Sequence, residues 1–442
     1  MSFEEAVPYL VMLAKCVFAV AFVMNIVPLL IWAERKGAAY IQDRPGPNRA
    51  GILGIRAGGL VHTLNDVVKL VMKEDIVPRH VEKFYWALAP VIAMSIALIT
   101  FIVVPFGDTF MGYDLLVSDI DGGLLFVLAM TSLGVYGIML AGWASNNKFS
   151  LLGGLRASAQ MVSYELAMGL SAVVVFLGAG SVSLSEIAAQ QAEPLNLGFV
   201  QIPALNWNIF SLPGAIAFVL FWIAAFAETN RTPFDLPEGE AELVGGYHTE
   251  YSSLRFALFF MAEYANMIVA AAVTSTLFFG GYNVPFLTGE TIRANSDTLV
   301  TLLGFGAVPA FLFFAGVAWK RRNRPFYKAI PADDIRHREP KFWTVLWLGA
   351  AAAHLGVGVL GLSGFVGASA LGPDVVAFIL QLTSLVLKVL TGCWIFIWVR
   401  WTLPRFRYDQ LMGLGWKVML PLALANVFVA AVWTIVKHSP AA

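Results

Sequence analysis

Residues 254–279 read LRFALFFMAEYANMIVAAAVTSTLFF, a run in which Arg255 and Glu263 carry the only charges. Hydrocarbon about 30 Å thick is crossed by roughly 20 apolar residues in a helix. A run of this length with one internal carboxylate therefore reads as a membrane span. The same pattern recurs at 9–32, 86–106, 122–143, 157–177, 212–227, 299–319, 342–365, 375–399 and 416–435, the fifth span being the shortest. Composition agrees: of 442 residues, 58% are hydrophobic and only 13% charged, with mean hydropathy +0.73. That is too little charge to clothe soluble domains in water. The expected fold is an all-α polytopic membrane helix bundle of ten spans, one integral membrane domain. The chain opens with Glu4 and Glu5 and no basic leader, and its first apolar run is too long for a signal-peptide core, so it reads as an uncleaved span.

Formal net charge is zero, but its distribution orients the bundle. If the N-terminus lies outside, the inner segments are 34–83, 145–156, 228–255, 320–341 and 400–417. Of the 29 Lys and Arg, all but Lys15, Arg293, Lys388 and Lys437 fall there. The positive-inside rule then places both termini on the outer face, the periplasmic side of a bacterial inner membrane. The outer connections 107–121, 178–211 and 280–297 read as simple connectors.

Segment 34–83 is longer than an ordinary connection. Within it Leu60, Val61, Leu64, Val67, Val68, Val71 and Met72 recur at helical spacing, with His62, Asn65, Asp66, Lys69, Lys73 and Glu74 on the other side. This is an amphipathic helix along the membrane surface, ended before Pro78. It is either a plain interfacial anchor or one wall of a cavity, and Asp66 and Lys69, three residues apart, can pair. Segment 228–255 is acidic, with Glu228, Asp235, Glu238, Glu240, Glu242 and Glu250 against Arg231 and Arg255. Either it is a solvated acidic loop, or its carboxylates feed a proton route or meet a basic partner.

Two carboxylates lie deep inside spans. Counted from the inner ends of their helices, Glu165 lies about 12 Å and Glu263 about 13.5 Å into the bilayer. A charge there costs several kcal/mol and marks a functional candidate; the alternative is a protonated glutamate bonded to a neighbouring helix. With Glu228 the two form a possible carboxylate relay. Glu34, followed by Arg35 and Lys36, fits ordinary helix-end snorkelling equally well. Lys388, inside the ninth span, is a counter-charge for one of the glutamates or part of a lateral proton path. His354 reads as a packing residue.

Cys16 and Cys393 both sit in spans, too few for an iron–sulfur cluster or a structural zinc site. No glycine-rich strand-to-helix turn could hold a dinucleotide. Any electrons must come from another subunit, and no nucleic-acid partner is expected.

Two inner segments carry a family resemblance: Glu34-Arg35-Lys36 with Gln42-Asp43-Arg44-Pro45-Gly46-Pro47-Asn48 and Asp66-Val67-Val68-Lys69-Leu70, and the run from Ala227-Glu228-Thr229-Asn230-Arg231 through Pro233-Phe234-Asp235-Leu236-Pro237-Glu238-Gly239-Glu240 to Val244. They resemble the complex I subunit 1 family, the quinone-site membrane subunits of the proton-pumping NADH:quinone oxidoreductase. Gln160-Met161-Val162-Ser163-Tyr164-Glu165, Phe260-Met261-Ala262-Glu263-Tyr264 and Leu403-Pro404-Arg405-Phe406-Arg407-Tyr408-Asp409 extend the match along most of the chain. The resemblance implies a heel subunit, with quinone as substrate, membrane lipid around it, and the other complex I subunits as partners carrying the iron–sulfur clusters; no flavin, haem or cluster is implied for this chain. It implies a quinone chamber at Glu34, Arg35, Asp66 and Lys69 with Arg405 or Arg407 near its floor, and a proton relay of Glu165, Glu228, Glu238, Glu240 and Glu263 with Asp235 beside it.

The chain departs from that family in having ten spans where eight are usual. The core would cover about 1–285 and 374–437 and an inserted helix pair about 299–370. It also carries Gly58-Gly59-Leu60-Val61-His62 where the family has a Gly-Leu-Leu-Gln-like run. The rival readings are the related subunit of an ion-pumping membrane-bound hydrogenase and a stand-alone secondary transporter. The first is disfavoured by the Pro233–Glu238 run, the second by the lack of an internal repeat.

Overall fold

A computed structural model describes residues 3–196, 201–329, 331 and 334–438, without the side chains of 3–6, 196, 240, 241, 326, 329 and 438. Its long helices are α1 (Phe3–Ile41), α2 (Val61–Met72), α3 (Lys83–Thr100), α4 (Gly123–Ala144), α5 (Lys148–Ala179), α6 (Leu212–Glu228), α7 (Ser253–Phe278), α8 (Ser296–Lys320), α9 (Arg338–Leu362), α10 (Gly372–Thr402) and α11 (Leu420–His438). A helix Tyr408–Gly413 and a π turn Leu414–Met419 lead into α11. Two short hairpins, Thr109–Phe110 with Tyr113–Asp114 and Leu195–Asn196 with Gln201–Ile202, are the only named strand pairs among the described residues.

Nine of the described helices are long and apolar enough to cross a membrane. The tenth expected span, α6, has 17 residues, about 25 Å of helix. It starts where Ser211 accepts a hydrogen bond from Gly214 N, with Pro213 in its first turn. Its far end meets α5 well inside that helix, since Gln160 Nε2 donates to the carbonyls of Ala227 and Phe234. The short span therefore ends within the bundle, and the chain after it enters the interior. The first span is longer than its apolar run suggested, because α1 stays helical through Glu34, Arg35 and Lys36 to Ile41.

The core lies between α3, α4, α5, α6, α7 and α10. Aromatic rings fill the wide places: Phe396 stands 4.1 Å from Phe226 and 4.9 Å from Trp222. Helices α8 and α9 pack chiefly on each other and meet the bundle along α10. A Cβ on Gly304 would collide with the backbone of Gly358, a close approach that small residues permit between membrane helices. The hairpin is also tied to the segment before α2. Arg56 Nε donates to Glu339 Oε2 at 2.7 Å, and the Tyr327 hydroxyl donates to the same oxygen at 3.1 Å.

The amphipathic helix forms as expected. Leu64, Val67, Val68, Val71 and Met72 of α2 present an exposed apolar face, suited to lipid. Its end is fastened to the start of α7, where Ser253 Oγ donates to the carbonyls of Leu70 and Lys73.

Candidate functional site

The segment after α6 is no solvated acidic loop. Arg231, Asp235 and Glu238 are buried, as are Glu228 and Glu263 on the adjoining helices. Burial follows from where α6 stops: the chain must cross the interior before α7 begins. Gly246 marks the tightest turn of this path; it has φ +60 and faces the Pro237 carbonyl with no room for a Cβ.

Arg231 organises the charges. Its Nη1 lies 3.5 Å from Glu34 of α1 and its Nη2 3.5 Å from Glu263 of α7. Its guanidinium carbon sits 4.1 Å from the centroid of the Tyr264 ring, a cation–π contact. Glu34 also accepts a 2.8 Å hydrogen bond from the Tyr264 hydroxyl. Arg400 Nη1 stands 2.8 Å from its other oxygen, placed as an ion pair without a directed hydrogen bond. Glu34 thus belongs to a buried cluster, where its position at a helix end suggested snorkelling.

From Glu263 the network turns to the acidic segment. The Tyr247 hydroxyl donates to Glu263 at 2.9 Å, and burial first, then the Glu263 charge, holds that phenol well above its ordinary pKa. Glu238 faces His248 at 3.6 Å. Burial pushes the Glu238 carboxyl up, but the polar groups of His248 and Glu263 close beside it and the charges of His248 and Arg231 outweigh it and hold it low. Asp235 behaves oppositely. Burial and the neighbouring Glu238 raise it to about 7, against Arg405 and Arg400, although Arg405 Nη2 donates to it at 2.7 Å. Burial wins because Arg405 is itself partly exposed to water, so its charge is screened. Near pH 7 Asp235 is about half protonated beside an ionised Glu238, an arrangement in which a proton is shared.

Beyond Glu263 two cavities flank Glu228, and both are lined by Thr131, Glu228, Thr229 and Asn266; Glu263 lines the first. Each has room for water. Glu228 feels the charge of Glu165, which accepts a hydrogen bond from Ser132 of α4. Glu34, Arg231, Glu263, Glu228 and Glu165 therefore follow one another from the basic end of α1 to mid-bundle, with Glu238 and Asp235 as a branch.

Other expected positions lie elsewhere. Asp66 pairs with Arg35 of α1, not with Lys69, which is exposed; the turn of α2 that carries Asp66 faces α1. Arg407 is exposed and pairs with Asp409 at 2.9 Å, leaving Arg405 as the arginine beside the cluster. The side chain of Glu240 lies outside the described residues, and Glu242 pairs with Arg156 at 2.7 Å near the surface. Lys388 is no partner of a glutamate: its ammonium donates to the carbonyls of Phe279, Gly281 and Asn283 at 2.7–2.9 Å. It caps the end of α7, where carbonyls lack intrahelical donors. His354 bonds the Ala350 carbonyl and packs on Phe311, as a packing residue should.

Sequence reasoning missed Arg400, Tyr247, His248 and Tyr264 and gave Arg231 no part. Arg400 closes a span and looks like an interfacial anchor. Tyr264 had the one usable signal, its place beside Glu263. Among the described residues no group of three or more His, Cys, Asp or Glu could hold a metal ion.

The chain matches a family model described as NADH dehydrogenase over residues 14–329 and 340–431. It is similar to the H 1 subunit of the NADH-quinone oxidoreductase of Solibacter usitatus, 42% identical over 432 residues, covering 96% of this chain and 97% of the relative. The H subunit of the NADH-quinone oxidoreductase of Flavobacterium psychrophilum is 41% identical over 91% of this chain and 90% of its own length. NADH-quinone oxidoreductase subunit 8 of Rhodothermus marinus is 42% identical over 91% of both.

Proposed function

The chain belongs to the H-subunit family of NADH-quinone oxidoreductase, membrane subunits of complex I, and from that membership we propose that it walls the quinone chamber with peripheral-arm subunits and starts the proton relay that quinone reduction drives. Other complex I subunits are its partners, and the enzyme is complete only with them. The basic ends of the helices face the inner side, where those subunits dock.

The observation that carries the reading is Arg231, one buried cation held between two carboxylates. Glu34 adjoins Arg35 and Asp66 at the basic rim, and Glu263 lines the cavity of Glu228. A quinone that receives electrons from the partner subunits gains negative charge and draws protons. A new charge near Arg35, Asp66 and Arg405 competes for Arg231 and Arg400. As those cations shift, Glu34 and Glu263 lose or gain affinity for a proton, and coupled titration passes the change to Glu228 and Glu165. The long 3.5 Å contacts of Arg231 suit a cation that moves between partners.

The test is Glu263→Gln and Glu165→Gln in the assembled complex in proteoliposomes. Both variants should assemble, and both should show impaired coupled turnover. Wild-type quinone reduction and pumping in both would defeat the proposal.

A further inference from the structure

The hairpin of α8 and α9 presents a collar of cations. Lys320, Arg321, Arg322 and Arg324 cluster where α8 ends, and Arg338 and Lys341 stand where α9 begins; all six are exposed. Among the described residues none of them has an ion-pair partner. The nearby described carboxylates are committed elsewhere, Glu339 to Arg56 and Asp334 to Arg336.

A topogenic signal needs such charge only on the correct side. This collar also has a fixed height and a fixed setting. Trp319 is exposed one position before Lys320, and the Arg322 guanidinium lies 3.9 Å from its ring centroid. A half-exposed indole at a span end sits at headgroup depth, which puts the stacked guanidinium there too. Below that plane the hairpin is apolar outward, with Leu312, Phe313 and Phe314 exposed on α8 and Val345, Leu346 and Leu348 on α9. Acyl chains therefore surround its sides. Long cationic side chains that repel one another and share no pocket match a fluid anionic surface.

We propose that the collar is a binding site for anionic phospholipid headgroups of the leaflet on the basic side, seated on Lys320, Arg321, Arg322 and Arg324. A basic residue at a membrane surface contributes about 1 kcal/mol toward anionic lipid, roughly fivefold in affinity. Four together distinguish a headgroup charge strongly, and salt weakens the effect. Through Arg56, Tyr327 and Glu339 the lipid-bound loop is joined to the segment before α2.

The test uses the assembled complex with photoactivatable phosphatidylglycerol and, separately, the matching phosphatidylcholine probe, followed by peptide mapping. Phosphatidylglycerol should label peptides within 316–345 at least tenfold more than phosphatidylcholine, and less at high salt. The fourfold variant Lys320→Gln, Arg321→Gln, Arg322→Gln, Arg324→Gln keeps Lys328, Arg336, Arg338 and Lys341 to hold the orientation. It should lose that preference by at least tenfold, and the exchange of the same positions between Lys and Arg should keep it. Equal labelling by the two probes, or labelling unchanged in the fourfold variant, would overturn the site and leave only topology. Loss of a peripheral subunit from the variant with lipid labelling intact would overturn it in favour of an acidic protein partner.

Discussion

Replacing Arg231 by Met removes the cation that two buried carboxylates share. At 3.5 Å and an effective dielectric of 20, each contact is worth about 5 kcal/mol before desolvation. Loss of one partner from a buried pair costs about 3–5 kcal/mol in practice. The two glutamates suffer unequally. Glu34 keeps Arg400 and the Tyr264 hydroxyl, whereas Glu263 keeps the Tyr247 phenol and stands beside Glu238. Most of the cost therefore falls on Glu263, and Glu263→Gln should recover part of it. In a four-way cycle of wild type, Arg231→Met, Glu263→Gln and the double variant, the expected coupling is about 2 kcal/mol. It is read as thermal inactivation of quinone reductase activity in the assembled complex, where it corresponds to roughly a thirtyfold departure from additive rate constants. Coupling within about 0.5 kcal/mol of zero would show that Arg231 does not hold Glu263 and would remove the first link of the relay.

Asp235 should titrate in infrared difference spectra. Its raised pKa of about 7 means that the neutral carboxyl band is present below that pH and disappears as pH rises through it; Asp235→Asn should abolish this change, and an unaltered band would assign it elsewhere. Lys388→Met should strand the Phe279 and Gly281 carbonyls at and just past the end of α7, while the Asn283 carbonyl keeps the Ser384 hydroxyl, and lower thermal stability by about 2 kcal/mol, about 1–3 kcal/mol being typical for each buried group left unpaired. Scanning calorimetry of the purified complex checks this; full stability with lost pumping would return Lys388 to a proton path. Glu339→Gln should loosen the joint between the α8–α9 hairpin and the segment before α2 by about 2 kcal/mol. The readout is faster proteolysis within residues 49–59, and unchanged cleavage would show that the joint bears no strain.

Legibility differed by kind of residue. Glu165 and Glu263 stood out because a carboxylate amid apolar neighbours is anomalous in one dimension. Arg400 did not, and Glu34 was marked only by the family resemblance, because a charge at a span end has an ordinary explanation that only neighbours on other helices can displace. The acidic segment was visible as a cluster, but its burial depended on α6 stopping beside Gln160, which no local pattern encodes. Lys388 was recognisable as unusual, but its partners were not, since a backbone carbonyl at a helix end is as good an acceptor as a carboxylate and leaves no mark in composition.

The sequence by itself determined the membrane class, the spans and the amphipathic helix. A hydrocarbon slab imposes a local rule, about 20 apolar residues per crossing, that each segment satisfies alone. The tertiary structure decided which charges meet. Glu34 and Arg231 are 197 positions apart and Asp235 and Arg405 170. Those distances close only when the helices pack, because an ion pair is fixed by position in space and the order of residues along the chain does not specify it.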